Sequence, residues 1–237
     1  MVEEGRLKCA FGIRLSDQEQ MEWDLLCNEL GPYHGFEDRE DNVSFDGDFS
    51  VHKCYNLQST EAVEVNFNKF LWKNSVPFKV SFMLWVIFHD SLPTKDMLQH
   101  RGIEVQDGLC VLCKQYEETA DHIFLHCAYS HHIWSYFLKA FNISWVGARD
   151  MLSFFESWKF NALSGRNKKI WWKIIYVVPW HIWLERNSRT FAGRPKEEEE
   201  LLMLIKQSIV LWFCDTNVFH GISISQILFQ WDSIVHT

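Results

Sequence analysis

The chain has 237 residues and a net charge of −8; 47% of its residues are hydrophobic and 16% are aromatic, including 12 Trp and 19 Phe. This composition excludes an intrinsically disordered chain, and no uninterrupted apolar run is long enough to span a membrane. The overall acidity also argues against a simple nucleic-acid-binding protein, because such a protein needs local Lys and Arg to neutralise phosphates.

The first part of the chain predicts one helix and one hairpin. Residues 16–19, with the sequence Ser-Asp-Gln-Glu, form a capping box ahead of apolar residues at helical spacing, which predicts a helix over 16–30. Residues 43–51 alternate apolar and polar side chains around an Asp-Gly pair, a pattern typical of a short β-hairpin. A short helix over 52–57 is expected to follow.

Helical spacing dominates the rest of the chain. Pro77 suits the first turn of a helix that ends near Asp90, and Pro93 suits the start of another that reaches Arg101. Further helices are predicted near 130–142, 151–161, 167–189 with a bend at Pro179, and 197–214, with a weakly indicated terminal element over 222–231. The sequence therefore predicts a fold that is mainly α with a small β-hairpin.

A C-x2-C-x8-H-x4-C array lies between two of these helices and consists of Cys110, Cys113, His122 and Cys127. Thiolates and an imidazole are the donors that tetrahedral Zn²⁺ prefers, and four protein ligands leave no position for water. The array therefore predicts one structural Zn²⁺ that holds loops together and does not activate water.

Two alternatives to this assignment stay open at the level of sequence. The cysteines could form disulfides, but their number is odd at seven and there is no secretory signal, so a reducing compartment is favoured. His126, His131 and His132 are close enough in sequence to replace His122 as the nitrogen ligand. All three rank lower than His122, because the segment Ser130-His131-His132 is typical of a helix start, where an imidazole would be solvated.

The basic residues are concentrated in one part of the chain. Residues 1–64 hold fifteen acidic and five basic side chains, whereas residues 149–196 hold ten basic and three acidic ones. Basic side chains in this second segment can contact a phosphate backbone, although solvated helix faces would give the same pattern. The candidate nucleic-acid contacts are Arg166, Lys168, Lys169, Lys173, Arg186 and Arg189.

Four Trp residues lie near these basic residues: Trp171, Trp172, Trp180 and Trp183. Exposed indoles would provide stacking surfaces for unpaired bases, whereas Trp at helical spacing is also typical of a buried core. No catalytic residue is predicted, because there is no hydrolase triad, no Gly-rich phosphate loop and no carboxylate set for a two-metal polymerase or nuclease.

Several motifs follow one another in a fixed order between residues 70 and 134. They are Leu71-Trp72 with Val76-Pro77-Phe78-Lys79, Phe82-x-x-Trp85, Leu92-Pro93-Thr94-Lys95 with Leu98 and Arg101-Gly102, and the array with Glu118, Ile123-Phe124 and Trp134. In this order they resemble the reverse-transcriptase zinc-binding domain found near the C-terminus of plant non-LTR (LINE-type) retrotransposon polyproteins. Two flanking segments, Gly47-Asp48-Phe49-Ser50-Val51 and Trp180-x-x-Trp183-Leu184-Glu185-Arg186-Asn187, resemble those that accompany this domain.

The resemblance implies a zinc-stabilised helical domain over 43–145, with its core at 70–134, after an acidic segment over 1–42 that holds one helix. A helical, Trp-rich C-terminal extension is expected over 146–237. The chain looks like a detached C-terminal piece of such a polyprotein, without polymerase, endonuclease or RNase H motifs. Three roles are considered: a zinc-stabilised module that contacts RNA or DNA, a protein-interaction module with a Trp-rich surface, and a remnant without present function. No membrane or small-molecule partner is expected.

Overall fold

The structure is a computed structural model that describes residues 2–3, 6–7, 17–30, 68–72, 74–144, 147–191 and 193–235. The chain divides into two compact units, Met1–Ala62 and Val63–Thr237. Among its described residues, the first unit contains β1 (Val2–Glu3), which pairs antiparallel with β2 (Arg6–Leu7), and α1 (Asp17–Leu30). α1 confirms the predicted helix, whereas the hairpin predicted over 43–51 and the helix predicted over 52–57 lie outside the described residues.

The second unit is helical wherever it has regular structure among the described residues. Its elements are α2 (Asn68–Trp72), α3 (Phe78–Phe88), α4 (Lys95–His100), a π-helical turn (His122–His126), α5 (Ala128–Ala140), α6 (Met151–Ser157), α7 (Gly165–Thr190), α8 (Glu198–Trp212), α9 (Ile224–Phe229) and α10 (Trp231–Val235). The prediction of a mainly α fold is confirmed. Two details differ: Pro77 occupies the position just before α3, and the terminal element is divided into two short helices.

α7 is the central element of this unit. It packs against α3, α5, α8 and the π-helical turn. Its middle is buried on almost every side, with Ile174, Ile175, Val177 and Val178 all at 0% exposure. The helix continues through Pro179, although that residue has no N–H to donate to the preceding turn. None of the described helices has the combination of length and apolarity that crossing a membrane requires.

A pair of Trp side chains lies at the centre of the core. The indoles of Trp158 and Trp171 stack with ring centroids 3.9 Å apart and planes within 6°, and both side chains are at 0% exposure. Each indole N–H donates to the backbone carbonyl of the other residue, at 2.9 and 3.0 Å, so neither buried donor is left unsatisfied. Trp134 on α5 packs edge-on against Trp158 and donates from Nε1 to the Phe124 carbonyl at 2.7 Å. The same core therefore fixes the π-helical turn.

Candidate metal centre

Cys110 and Cys113 lie on a tight turn, residues 109–113, that we call the knuckle. Backbone hydrogen bonds close it: Lys114 N donates to the Cys110 carbonyl at 2.7 Å, and Cys110 N donates to the Tyr116 carbonyl at 2.8 Å. Lys114 has a φ of 57°, a left-handed conformation that reverses the chain within a few residues. This reversal turns the side chains of both cysteines toward the same point.

His122 and Cys127 come from opposite ends of the π-helical turn. Cys127 N donates to the His122 carbonyl at 2.7 Å, which is the five-residue spacing of a π-helical turn. The backbone becomes extended at Cys127, immediately before α5 begins. Thr119 Oγ1 accepts a hydrogen bond from His122 N at 3.0 Å and fixes the start of the turn. The wider turn brings the imidazole and the thiol to one side.

The four side chains predicted from spacing meet in space. Their ligand atoms all lie within 4.8 Å of one another. Cys110 Sγ and Cys127 Sγ are 4.0 Å apart, and Cys113 Sγ and His122 Nε2 are 3.3 Å apart. Ligands about 2.3 Å from a tetrahedral zinc ion would be separated by about 3.8 Å, so the donor set fits this metal with small adjustments. Among the described residues, no other group of three or more His, Cys, Asp or Glu side chains has this arrangement.

The cluster is closed to solvent on most sides. Cys110 and Cys127 are at 0% exposure, and His122 is at 8%. The hydrogen bond between the two buried thiol groups lowers the pKa of Cys110 to about 5, and the same contact raises the pKa of Cys127. A divalent cation would displace the protons of these sulfurs, because cysteines bind it as thiolates.

The other three histidines considered for this site have partners elsewhere. His126 Nε2 lies 3.0 Å from the Arg149 carbonyl, and His131 Nδ1 lies 3.4 Å from Ser135 Oγ. His132 Nδ1 lies 2.8 Å from a carboxylate oxygen of Glu198. All three imidazoles are exposed, whereas the ring of His122 points into the cluster.

Side chains outside the ligand set hold the knuckle in place. Glu118 is at 0% exposure; its Oε2 accepts from Val111 N at 3.4 Å, and its Oε1 accepts from Lys95 N at 3.1 Å. Arg189 donates from Nη1 to the Leu112 carbonyl at 3.2 Å. The sequence motifs contain Glu118, but nothing in their spacing indicates which residues it contacts.

The six basic residues predicted to contact nucleic acid have different environments, although all lie on α7. Arg186 is 3% exposed and pairs with Glu118, and Lys173 is 7% exposed and donates from Nζ to Ser75 at 2.6 and 2.9 Å. Burial lowers the pKa of Lys173 to about 8. Arg189 pairs with Glu185 at 2.7 Å. These three side chains face protein groups, so they do not present their charges to a phosphate backbone in this conformation.

The remaining three basic residues lie near the start of α7. Arg166 is half-buried and donates from Nη2 to the Ile234 carbonyl at 2.6 Å. Lys168 and Lys169 are exposed. They are therefore the members of the predicted set whose charges reach solvent most fully.

The four Trp residues of α7 also differ from one another. Trp171 belongs to the core, as described above. Trp172 is half-buried and stacks on Phe70, with ring centroids 5.4 Å apart and planes within 2°. Trp180 lies under Lys79 Nζ, 5.0 Å from the ring centroid, and Trp183 lies under the guanidinium of Arg186 at the same distance. The sequence left two interpretations for these Trp residues, a buried core and exposed stacking surfaces. Trp171 is buried in the core, whereas the indole of Trp172 is partly accessible and stacks on Phe70.

Comparison with known proteins identifies a domain in this region. Residues 49–134 match the family model described as zinc-binding in reverse transcriptase, which confirms the resemblance inferred from the motifs. A curated relative from Arabidopsis thaliana, named "Putative ribonuclease H protein", is 24% identical over 192 residues. The alignment covers 76% of this chain but 30% of that protein, so the chain spans less than a third of the relative's length. No solved structure matches the chain.

Proposed function

We propose that this chain, which carries a reverse-transcriptase zinc-binding domain at residues 49–134, is a non-catalytic, zinc-stabilised module of retrotransposon origin that contacts nucleic acid. The observation that carries the proposal is the convergence of Cys110, Cys113, His122 and Cys127 within 4.8 Å. The module combines the predicted zinc core at 70–134 with the predicted extension over 146–237, because α7 supplies side chains that hold the knuckle.

The donor set supports a structural zinc ion over other metals. Three thiolates and one imidazole are soft or borderline ligands, which suit Zn²⁺ and do not suit Mg²⁺ or Ca²⁺. Four protein ligands complete a tetrahedral shell, so the ion would have no open position at which to activate water. The ion would instead join the knuckle to the start of α5.

The same donor set supports a non-catalytic role for this centre. Phosphodiester hydrolysis by nucleases commonly uses two metal ions about 3.5–4 Å apart, which stabilise the attacking and leaving oxygens. The Cys110 cluster provides ligands for a single ion, and those ligands are mainly thiolates. The Arabidopsis protein is named a putative ribonuclease H, but the alignment covers only 30% of its length. We therefore assign no nuclease chemistry to this centre.

Contact with nucleic acid is supported by one surface near the start of α7, formed by Lys168, Lys169, Trp172 and Phe70, which we call the aromatic platform. Trp172 follows the two exposed lysines by one helical turn, and its indole stacks on Phe70, whose side chain is 42% exposed. Unpaired bases stack on accessible aromatic rings, while nearby lysines neutralise the backbone phosphates. This chemistry favours single-stranded RNA or DNA over readout of a duplex groove.

The experiment that tests the proposal measures metal content and binding in one preparation. The purified chain is analysed for zinc and then titrated with labelled single-stranded RNA and duplex DNA at two salt concentrations. We expect one equivalent of zinc and single-strand binding that weakens as salt rises. Zinc without any binding would overturn the nucleic-acid contact, and a chain that binds no zinc would overturn the whole proposal.

A second candidate function, protein interaction, is favoured by one observation on α3. Phe78 is 80% exposed and Phe82 is 56% exposed on the solvent-facing side of this helix, where Phe82 stacks with Trp85 at 5.8 Å. Contiguous exposed apolar side chains are common at protein interfaces. Sedimentation of the zinc-loaded chain would test self-association, which Phe78→Ser with Phe82→Ser should abolish if this face forms the contact.

A further inference from the structure

Three backbone groups of the knuckle are held by side chains from outside it. The Leu109 carbonyl accepts from Lys95 Nζ at 2.7 Å, and Val111 N donates to Glu118 Oε2 at 3.4 Å. The Leu112 carbonyl accepts from Arg189 Nη1 at 3.2 Å. The loop between the two cysteine ligands is thus fixed from outside as well as by its own backbone hydrogen bonds.

Two of these side chains, Glu118 and Arg189, take part in ion pairs with residues of α7. Glu118 and Arg186 form an ion pair with 0% and 4% side-chain exposure, and Glu118 also accepts from Lys95 N. One residue earlier on α7, Glu185 is at 0% side-chain exposure and accepts from Arg189 Nε at 2.7 Å and from Lys196 N at 2.8 Å. Each of the two guanidinium groups in this network is therefore held by a buried carboxylate.

The two guanidinium groups are also restrained by aromatic rings. Arg186 lies over the Trp183 ring at 5.0 Å from its centroid, and Arg189 lies over the Tyr129 ring at 4.6 Å. A planar guanidinium that stacks on an aromatic ring and also donates hydrogen bonds from its rigidly spaced N–H groups has little freedom to move. Tyr129 lies on the first turn of α5, two residues after the ligand Cys127. The network therefore reaches both halves of the ligand set.

We infer that Glu118, Arg186 and Arg189 are positioning residues of the metal centre, so that α7 sets the zinc affinity of the knuckle. The inference rests on the proposed zinc site. Groups that fix the ligands of a metal from outside commonly change its affinity by about 10–100-fold when they are removed, because the ligands must then be ordered at the moment of binding. In this chain, the segment that these residues hold in place is the loop that sets the separation of Cys110 and Cys113.

The network could instead contribute to fold stability alone, since removing one partner of a buried ion pair is destabilising in any location. The two roles give different results when zinc affinity and stability are measured separately. A purely structural network lowers the free energy of unfolding and leaves the zinc affinity of the folded chain unchanged. A positioning network lowers zinc affinity in chains that are still folded.

The experiment uses the full chain and two sets of variants. Glu118→Gln with Arg186→Gln replaces the ion pair by neutral amides and leaves no buried charge unpaired, and Arg189→Ala removes the donor to the Leu112 carbonyl. Tyr176→Phe is the matched control: it lies on the same helix and loses the hydrogen bond from Tyr176 Oη to the Phe70 carbonyl at 2.8 Å, which involves neither the knuckle nor the π-helical turn. Arg194→Ala, which removes an exposed charge paired with Glu200, is a second control.

Zinc dissociation constants are measured by competition with a chromophoric chelator, at a temperature where circular dichroism shows each variant to be folded. We expect zinc to bind about 10–100-fold more weakly to the double variant and to Arg189→Ala, while both controls remain near the parent value. The cobalt-substituted variants should keep the parent's tetrahedral absorption bands, because the ligands themselves are unchanged. Arg189→Lys should recover part of the affinity.

The outcomes separate this inference from the proposed zinc site. If the parent binds zinc and the folded variants bind it equally well, the positioning role is wrong and the zinc site stands. If Tyr176→Phe weakens zinc binding as much as the network variants do, the effect follows global stability, and the positioning role is again wrong. A parent chain that binds no zinc would overturn both.

Discussion

Arg186 donates from Nε and Nη2 to Oε1 of Glu118, at 3.1 and 2.5 Å, although the two residues are 68 positions apart in the chain. Both side chains are almost completely buried. Removing two charges from water is costly, and such a pair persists only when further hydrogen bonds satisfy the remaining polar atoms. Glu118 has these bonds from the backbone of Lys95 and Val111. The ion pair therefore fixes the knuckle relative to α7.

We predict that Arg186→Ala strongly destabilises the fold, because it leaves the Glu118 carboxylate buried without a partner. Breaking a buried pair in this way typically lowers the free energy of unfolding by about 3–5 kcal/mol. Urea denaturation followed by circular dichroism measures this quantity. Arg194→Ala is the control and should change it little, since Arg194 and Glu200 are 76% and 43% exposed. A variant at position 186 as stable as the parent would show that the buried pair contributes nothing to folding.

We predict that Cys110→Ser weakens zinc binding and increases hydrogen exchange over residues 103–134, because a structural metal supplies folding free energy to the segments that it joins. Zinc stoichiometry and amide exchange measure the two effects. His126→Ala should leave both nearly unchanged, since the His126 ring is exposed and lies against the Arg149 carbonyl. Loss of zinc in His126→Ala with retention in His122→Ala would reassign the nitrogen ligand.

We predict that Lys168→Ala with Lys169→Ala makes single-strand binding less sensitive to salt. Each phosphate contact to a single strand contributes about 0.7 to the slope of log affinity against log salt, so losing two contacts should reduce the slope by about 1.4. Fluorescence anisotropy at several salt concentrations measures it. Lys139→Ala with Arg149→Ala removes the same charge from two exposed positions that are not part of the aromatic platform and should leave the slope close to the parent value. Equal slopes in all three proteins would exclude the platform.

We predict that His181 makes the fold sensitive to acid. Burial, helped by the positive charge of Lys196, lowers the pKa of His181 from 6.5 to about 4 in the folded chain. Protonation therefore favours the unfolded chain: the stability associated with the neutral ring is complete above pH 6.5 and is lost as the pH falls toward 4. The difference corresponds to about 3 kcal/mol.

The measurement for this prediction is the free energy of unfolding between pH 4 and pH 7.5. Because acid would also release a zinc ion held by the Cys110 cluster, the informative quantity is the difference between the parent and His181→Gln. The amide of Gln can still bond to Ser208 Oγ, which lies 2.8 Å from His181 Nε2 in the parent, but it does not titrate. We expect the free energy of unfolding of His181→Gln to depend less on pH than that of the parent. Parallel curves would show that folding does not lower the pKa of His181.

The helices were largely predictable, and the reason is local. Apolar residues at helical spacing predicted the core face of α5, where Ile133, Trp134 and Phe137 are all buried. The π-helical turn was not predicted, because its wider hydrogen-bond spacing leaves no distinct pattern in five residues. Spacing alone could not distinguish a buried Trp from an accessible one. Trp171 and Trp172 are adjacent on α7, yet Trp171 is buried and Trp172 is partly accessible.

The chain by itself determined the candidate ligand set. Cys110, Cys113, His122 and Cys127 lie within eighteen residues, and their donor chemistry and spacing predict a tetrahedral site without any knowledge of distant contacts. Only the tertiary structure decided the roles of the charged residues on α7. A basic side chain has the same sequence pattern whether it is solvated, as Lys168 is, or paired in the interior, as Arg186 is. Its environment depends on which distant carboxylate the packed helices bring beside it, and that contact is set by the core as a whole.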